Sequence, residues 1–342
     1  MLIYTLGITN LYILLFKGRK TMNLEYQVLD NKYSTIKEVL RDYFNISDRL
    51  LTKLKKNEQI FLNNTSTYIN HSVNINDYIK INLDFEEESE NIVSTKMELN
   101  IIFEDEALLI INKPAGMPVH PSILHYENSL SNGIKFYYNS INLKRKIRPV
   151  NRLDKDTSGI VIFAKNEYIQ ESLIKQMKNK LFEKEYYAIL DGYLEKISGT
   201  INAPISRKTG SIIEREINEN GEIAITHFEL IKKFEYVKSD NVLGVEKNMH
   251  CSEKDISNQP NTKNKLSLVK FKLETGRTHQ IRVHSKYINH PILGDSLYGS
   301  SSNIISRQAL HAYKVTFIHP IYKEKVILEI ELPEDMKKIV ES

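Results

Sequence analysis

The chain has a single cysteine, Cys251, among its 342 residues. One cysteine excludes an internal disulfide and a zinc site built from cysteines, and it suits a reducing compartment. The sequence also lacks a long apolar run, because its apolar start is shorter than the roughly 20 residues that a membrane-spanning helix needs. We therefore expect a cytoplasmic protein that has no membrane partner.

An excess of one charge is missing as well. The sequence has 47 Lys and Arg against 43 Asp and Glu, a formal net charge of +4. This total does not indicate nucleic-acid binding, so any such role must come from local clusters of cations. A hydrophobic content of 41% with 26% charged residues is ordinary for a globular protein, and the length fits one large domain plus a small one.

The first 21 residues are apolar up to Phe16 and then basic from Lys17 to Lys20. Positive charges that follow the apolar run reverse the order of a signal peptide, and no small-residue cleavage site is visible. We expect residues 1–21 to be an N-terminal extension that is not part of the fold, with Met22 as the real start. A weak membrane anchor is the alternative.

Residues 33–84 predict a small unit of two helices followed by a hairpin. Ser34 or Thr35 can cap the first helix, and Ser47 can open the second. The basic side chains on one face of the second helix are Arg49, Lys53 and Lys56. They could grip RNA phosphates without reading sequence, although a basic helix face is often simply solvated. A turn at Asn63-Asn64 joins the strands of the hairpin.

Residues 149–166 combine a polar loop with an apolar strand. Asp154 lies in the loop, and Ile160 to Ala164 are the β-branched-rich run of a buried strand. A carboxylate on a tight loop that is fixed by a buried strand is well placed for chemistry. Plain turn chemistry is the competing interpretation of Asp156-Thr157-Ser158-Gly159. An aspartic protease would need a second such loop, which is absent.

Four other segments accompany this loop. They are Asn112-Lys113-Pro114-Ala115-Gly116, residues 273–284 with Gly276-Arg277-Thr278-His279-Gln280-Ile281-Arg282, residues 290–299 with Gly294-Asp295, and residues 310–320 with Leu310-His311-Ala312. In this order, together with Arg152-Leu153-Asp154 and its Thr157-Ser158-Gly159, they resemble the RluA-type pseudouridine synthases. The unit at 33–84 resembles the alpha-L RNA-binding domain at the front of many members.

The resemblance implies an α+β protein in several parts. These are an alpha-L RNA-binding domain at 33–84, an acidic linker at 85–98, and a catalytic domain at 99–335 with a mixed, mainly antiparallel sheet. A polar insertion is expected at 238–265. The implied activity is the isomerisation of specific uridines in RNA to pseudouridine without a cofactor, which is an RNA modification in rRNA processing. Large-subunit ribosomal RNA is the expected partner, transfer RNA is the alternative, and a monomer suffices.

The resemblance also implies roles for particular residues. Asp154 corresponds to the catalytic aspartate, Tyr186 to the tyrosine against the target base, and Arg277 to the arginine that pairs with the aspartate. Ile281 lines the uracil pocket. Asn151 stands where the familiar pattern has histidine, a residue associated with opening the RNA. Which group fills the space left by the flipped-out nucleotide is therefore undetermined. The implied substrate-binding positions are Asn151, Arg152, Lys184, Ile281 and Arg282.

The chemistry calls for these residue types. A carboxylate that attacks the sugar or removes a proton from it must be ionised and aimed, and an arginine partner does both. A tyrosine offers a stacking face and a hydroxyl. The uridine must be flipped out of a helix, and cations at Lys144, Arg145, Lys146 and Arg148 could hold the surrounding phosphates.

Competing interpretations remain for several of these residues. Arg277, His279, Arg282 and His284 could form the solvated face of a strand, and Tyr186 could be a core aromatic. His279, His284 and His290 lack carboxylates at ligand spacing, and His250 with Cys251 has too few ligands, so we predict no metal site. A catalytically silent RNA-binding protein is the rival function, and an aspartate-dependent hydrolase is a third possibility that lacks its second acid or base.

Overall fold

The computed structural model describes residues 2–5, 22–87, 89, 91–237, 263–299 and 302–342. The chain folds into two compact units. The first comprises Met1–Lys155, Gly159–Glu183 and Val315–Ile330, and the second comprises Asp156–Ser158, Lys184–Lys314 and Glu331–Ser342. Most of the predicted extension at 1–21 and residues 238–262 of the predicted insertion lie outside the described residues. Within the described ranges, no helix is long and apolar enough to cross a membrane.

In chain order the elements are β1 (Leu2–Thr5), β2 (Asn23–Gln27), α1 (Ile36–Glu38) with a π-helical turn at Val39–Tyr43, α2 (Asp48–Lys56), β3 (Ile60–Leu62), β4 (Thr65–Ser66), β5 (Tyr78–Asn82), β6 (Ile101–Glu104), β7 (Leu108–Lys113), α3 (Leu130–Ser140), β8 (Ser158–Ala164), α4 (Glu167–Lys178), β9 (Glu183–Asp191), β10 (Ser198–Asn202), β11 (Ile205–Arg207), β12 (Arg215–Ile217), β13 (Ile225–Tyr236), β14 (Asn264–Leu273), α5 (Gln280–Tyr287), β15 (Leu310–Ile318), β16 (Lys325–Glu329) and α6 (Glu334–Glu341).

The front of the first unit is the predicted helix pair and hairpin. Thr35 caps α1 by accepting from the Glu38 amide, and Ser47 caps α2 by accepting from the Leu50 amide. Four strands form a sheet in the order β2-β5-β3-β4. Asn63 and Asn64 have φ values of 50° and 67°, a left-handed pair that suits a tight hairpin and that asparagine tolerates. The hairpin therefore closes without a glycine.

The rest of the first unit contains the antiparallel strands β6, β7 and β8. Every residue of β8 is buried, which is why it is apolar without alternation. The four residues of β1, within the predicted extension, pair in parallel with β16. They therefore form a strand, where the sequence predicted no structural element. The predicted bounds of the RNA-binding domain, the linker and the catalytic domain stay predictions.

The second unit is built on antiparallel pairs in the order β10-β13-β14-β9, with β11 and β12 as a separate hairpin. Its small core cluster contains Ile205, Ala224, Val283 and Tyr298. Residues 280–287 form α5, so the alternative interpretation of this stretch as a solvated strand is wrong. The predicted α+β class with a mixed, mainly antiparallel sheet is confirmed, since β1 with β16 is parallel and the other pairings described here are antiparallel.

Candidate active site

Asp154 lies in the first unit, on the partly exposed loop that leads to β8. A buried lysine, Lys113 at the end of β7, anchors the far side of this loop. Its Nζ donates to the backbone carbonyls of Pro114, Met117 and Lys155 at 2.8, 2.8 and 2.9 Å. One lysine therefore ties the Asn-Lys-Pro-Ala-Gly loop to the residue after Asp154. The sequence motif contained Lys113, but the motif alone did not reveal this function.

Asn151 is buried just before Asp154. Its Nδ2 donates to the Ile160 carbonyl at 3.0 Å, and its Oδ1 accepts from the Ile162 amide at 2.9 Å. Both ends of the amide are therefore bonded to β8, and this geometry gives no support to the predicted contact of Asn151 with substrate. The neighbouring Arg152 is exposed. Desolvation and, second, the positive charge of Arg152 lower the pKa of His120.

Tyr186 and Lys184 lie in the second unit, on β9. Tyr186 is buried and faces Phe271 of β14 across the antiparallel ladder. Burial lowers the pKa of Lys184. A Cβ built on Gly276 would lie 3.4 Å from Lys184 Nζ, so this ammonium group reaches the loop that carries Arg277.

Arg277 lies on that loop, directly before α5. Its Nε donates to the Ile223 carbonyl at 3.0 Å, and its Nη1 lies 2.8 Å from Glu222 Oε2. About a third of its side chain is exposed. The backbone amide of Arg277 donates to Gln280 Oε1 at 2.9 Å. This bond fixes the backbone of the loop from which the Arg277 side chain projects.

Gln280 holds that loop from the first turn of α5. Its Nε2 donates to the Ile225 carbonyl at 3.0 Å and to Thr226 Oγ1 at 2.9 Å, and its Oε1 accepts from Thr275 Oγ1 at 2.9 Å. With the bond from Arg277, all the amide's polar atoms are used inside the second unit. The sequence did not reveal this role, and the only signal it offered was a glutamine between the motif residues Arg277 and Ile281.

Ile281 and Arg282 follow on α5, and both are buried. Arg282 forms a fork with Asp295, with Nε and Nη2 lying 2.7 and 2.8 Å from the two carboxylate oxygens. Its guanidinium also lies over the Tyr298 ring, 5.0 Å from the centroid. This geometry does not favour the predicted substrate contact, because the guanidinium points into the protein.

The predicted RNA-binding cations of α2 have different surroundings. Arg49 Nε lies 3.0 Å from Glu167 Oε1, and Lys53 contacts both Glu167 and Glu87. Glu167 is buried in the first turn of α4, where a carboxylate also complements the helix dipole. Lys56 is exposed. Lys53 is therefore engaged within the first unit, whereas the exposed Lys56 is the better candidate for RNA phosphates.

Acidic side chains around the start of the linker form ion pairs with the basic loop at 144–148, which the sequence predicted to bind phosphates. Arg145 contacts Asp84, Arg148 Nη2 lies 2.7 Å from Glu87 Oε1, and Lys144 Nζ lies 3.1 Å from Glu86 Oε2. Arg145 and Arg148 are buried, so these two cations stabilise the first unit rather than present a surface to RNA. Of the loop's cations, the exposed ones are Lys144 and Lys146.

His279, His284 and His290 each have a hydrogen-bond partner within the protein. His284, on α5, places Nδ1 2.8 Å from Thr226 Oγ1 and Nε2 3.0 Å from the Ala203 carbonyl. Across the described ranges, no group of three or more His, Cys, Asp and Glu side chains could hold a metal ion. His250 and Cys251 lie outside those ranges.

The candidate catalytic residues are thus divided between the units. Asp154 belongs to the first, and Tyr186 and Arg277 belong to the second. Buried polar side chains of the same unit hold the loops that carry Asp154 and Arg277. The pairing of Asp154 with Arg277 stays a prediction.

Comparisons with known proteins agree with the motifs. Residues 107–287 match the family described as RNA pseudouridylate synthase. The RNA pseudouridine synthase YhcT of Bacillus subtilis is 37% identical over 301 residues, which cover 88% of this chain and 90% of that protein. Ribosomal large subunit pseudouridine synthase D of Blochmanniella floridana is 32% identical, over 74% of this chain and 75% of that protein.

A solved structure shows the same fold. Human RNA pseudouridylate synthase domain containing 1 superposes with a TM-score of 0.53 and 22% identity, over 72% of this chain and 86% of that one. The family match spans more than half of the chain, and the match to YhcT spans most of it. The chain therefore belongs to the RNA pseudouridylate synthase family, with motifs of the RluA type, and is an RNA pseudouridine synthase.

Proposed function

We propose that this enzyme isomerises a uridine of large-subunit ribosomal RNA, with Asp154 as the group that acts on the sugar. The observation that carries the proposal is the setting of Asp154. It is partly exposed, on a loop bonded to β8 on one side and to Lys113 on the other. The choice of RNA is supported by the name of the relative from Blochmanniella floridana. Transfer RNA is the alternative substrate.

In the proposed reaction Asp154 attacks the anomeric carbon of the uridine, or removes a proton from the sugar. In both cases the bond from N1 to the anomeric carbon breaks and uracil leaves with the electron pair. Uracil then turns, and its C5 forms a bond to the same sugar carbon; on the first route this releases the carboxylate, and on the second the protonated carboxyl returns its proton to the sugar. C5 loses a proton and N1 gains one, so the product has the composition of the substrate. The reaction needs no cofactor.

The residues of the second unit would support this chemistry from their own positions. Arg277 is proposed to pair with Asp154 and keep the carboxylate ionised and aimed. Tyr186 is proposed to lie against the uracil, and Ile281 to line its pocket. Uridine must leave its helix first, at a cost of a few kcal/mol, which exposed cations such as Arg152 and Lys56 would offset by binding phosphates. A monomer in the cytoplasm suffices for the whole sequence.

Tritium release tests the proposal. Large-subunit ribosomal RNA and transfer RNA, each carrying uridine tritiated at C5, are incubated with the wild type, with Asp154→Asn, and with Asp156→Asn as a control in the same loop. We expect release from the ribosomal RNA with the wild type and with Asp156→Asn, and none with Asp154→Asn. Release from transfer RNA alone would change the substrate. No release from either RNA would favour a silent RNA-binding protein, and release by Asp154→Asn would discard the nucleophile.

A further inference from the structure

We infer that Asn151 is a positioning residue for Asp154, because the side-chain amide of Asn151 takes the place of a backbone peptide group along one edge of β8. The inference rests on the proposed function, because it assigns Asn151 to the aim of the proposed nucleophile. It also replaces the expectation that residue 151 contacts RNA.

The evidence is a ladder of hydrogen bonds along one edge of β8. The Ala164 amide donates to the Arg148 carbonyl at 2.8 Å, and the Val150 amide donates to the Ile162 carbonyl at 2.8 Å. These are ordinary bonds between extended backbones. At the next position the backbone stops taking part and a side chain continues the pattern.

Asn151 provides that continuation. The Ile162 amide donates to Asn151 Oδ1, and Asn151 Nδ2 donates to the Ile160 carbonyl, at 2.9 and 3.0 Å. A carboxamide presents one donor and one acceptor on the same side, as a peptide group does. The ladder is therefore completed while the main chain is free to turn away from the strand. The turning chain is the segment that carries Asp154.

Asp154 consequently lies between two buried anchors. Asn151 fixes the chain three residues before it, and Lys113 Nζ holds the Lys155 carbonyl one residue after it at 2.9 Å. Few backbone torsions separate these points, so the first unit fixes the backbone from which the carboxylate of Asp154 projects. A displacement of about 1 Å at a reacting group can cost on the order of 100-fold in rate.

Asparagine is well matched to this task among the natural side chains. Alanine has neither group. Aspartate lacks the donor and places negative charge against the Ile160 carbonyl. In histidine the two ring nitrogens point in divergent directions, so one ring cannot reproduce the parallel pair of bonds. Asn151→Ala and Asn151→Asp are therefore informative variants.

Asn166 is a matched control at the other end of β8. It is equally buried, and its Oδ1 accepts from the Ile169 amide at 2.9 Å as the N-cap of α4. Loss of this amide should reduce stability without disturbing Asp154. Comparison of Asn151→Ala with Asn166→Ala separates a positioning effect from general destabilisation.

The experiment measures tritium release under saturating and limiting RNA, well below the unfolding temperature of each variant. We expect Asn151→Ala to lower kcat by about 10- to 100-fold with KM within about threefold, while Asn166→Ala keeps both constants. Asn151→Asp should recover relative to the wild type as pH falls, because a protonated carboxyl regains a donor. Dividing by the wild-type constant at each pH removes the pH effects that the two proteins share.

Three results would overturn the inference. They are an unchanged kcat in Asn151→Ala, a rise in KM alone, which would indicate an RNA contact, and an equal loss of kcat in Asn166→Ala. A wild type that releases no tritium would instead refute the proposed function. The anchor is then tested by hydrogen exchange, since the Ile162 amide should lose protection in Asn151→Ala and keep it in Asn166→Ala.

Discussion

Separating Arg282 from Asp295 should destabilise the protein strongly without a primary effect on RNA binding. The pair lies in the second unit, where 8% of the Arg282 side chain and none of the Asp295 side chain is exposed. Asp295 Oδ1 also accepts from the Leu297 and Tyr298 amides at 3.1 Å each. The Asp295 carboxylate is therefore removed from water, and the Arg282 guanidinium supplies most of the interaction energy that offsets the cost of burying its charge.

The expected magnitude follows from that burial. Arg282→Met keeps a long side chain over Tyr298 but leaves the Asp295 carboxylate without its cation. Breaking a buried pair in this way costs about 3–5 kcal/mol, and for a chain of this size each kcal/mol lowers the unfolding temperature by roughly 1–2 °C. We expect a loss of stability that is visible in both thermal and urea unfolding.

A double-mutant cycle identifies the cause. Arg282→Met combined with Asp295→Asn removes both charges, so the double variant should be more stable than Arg282→Met alone. Urea midpoints with unchanged m-values measure these free energies, and tritium release from the folded enzymes gives KM. If Arg282→Met keeps the wild-type urea midpoint and raises KM, the guanidinium faces substrate and the structural assignment is refuted.

Two further predictions concern the lysines of α2 and the buried imidazole of His311. Lys53→Ala should destabilise the protein by about 1 kcal/mol, because it removes the contacts of Lys53 with Glu167 and Glu87. Lys56→Ala should leave stability unchanged and reduce the salt dependence of RNA binding by about one phosphate contact. Equal effects of the two variants in unfolding experiments and RNA titrations would contradict this prediction. Burial lowers the pKa of His311 to about 4 from 6.5, so the unfolded state takes up the proton first and stability should fall by about 3 kcal/mol as pH drops from 6.5 to 4. His311→Gln should flatten that dependence in urea unfolding, and parallel pH curves for the two proteins would refute it.

Features encoded by neighbouring residues could be predicted from the sequence. Ile160 to Ala164 is a strand because an unbroken β-branched-rich run is buried on both faces. Ser47 begins a helix because its hydroxyl satisfies a free amide of the first turn. Motif order then indicated the family, which the comparisons confirmed. These signals are short in sequence, so each can be detected without knowing the tertiary structure.

Partners distant in the chain could not be predicted in the same way. Arg148 pairs with Glu87, which lies 61 residues earlier, and no local pattern distinguishes this arginine from one that binds phosphate. Arg282 is next to Ile281 in a motif, yet α5 directs it towards Asp295 inside the second unit. Asn151 likewise gave no sign that its amide would continue a strand. Charge and motif position identify a residue type, whereas burial decides what that residue contacts.

The ion pairs of the linker also limit how the front module can be removed. A chain that began after residue 90 would retain the buried guanidiniums of Arg145 and Arg148 but lose the carboxylates of Asp84 and Glu87. Uncompensated buried charges cost several kcal/mol, a large fraction of the stability of most domains. Loss of this module during evolution should therefore require replacement of both arginines. Among related proteins, arginine at these two positions should occur together with the module.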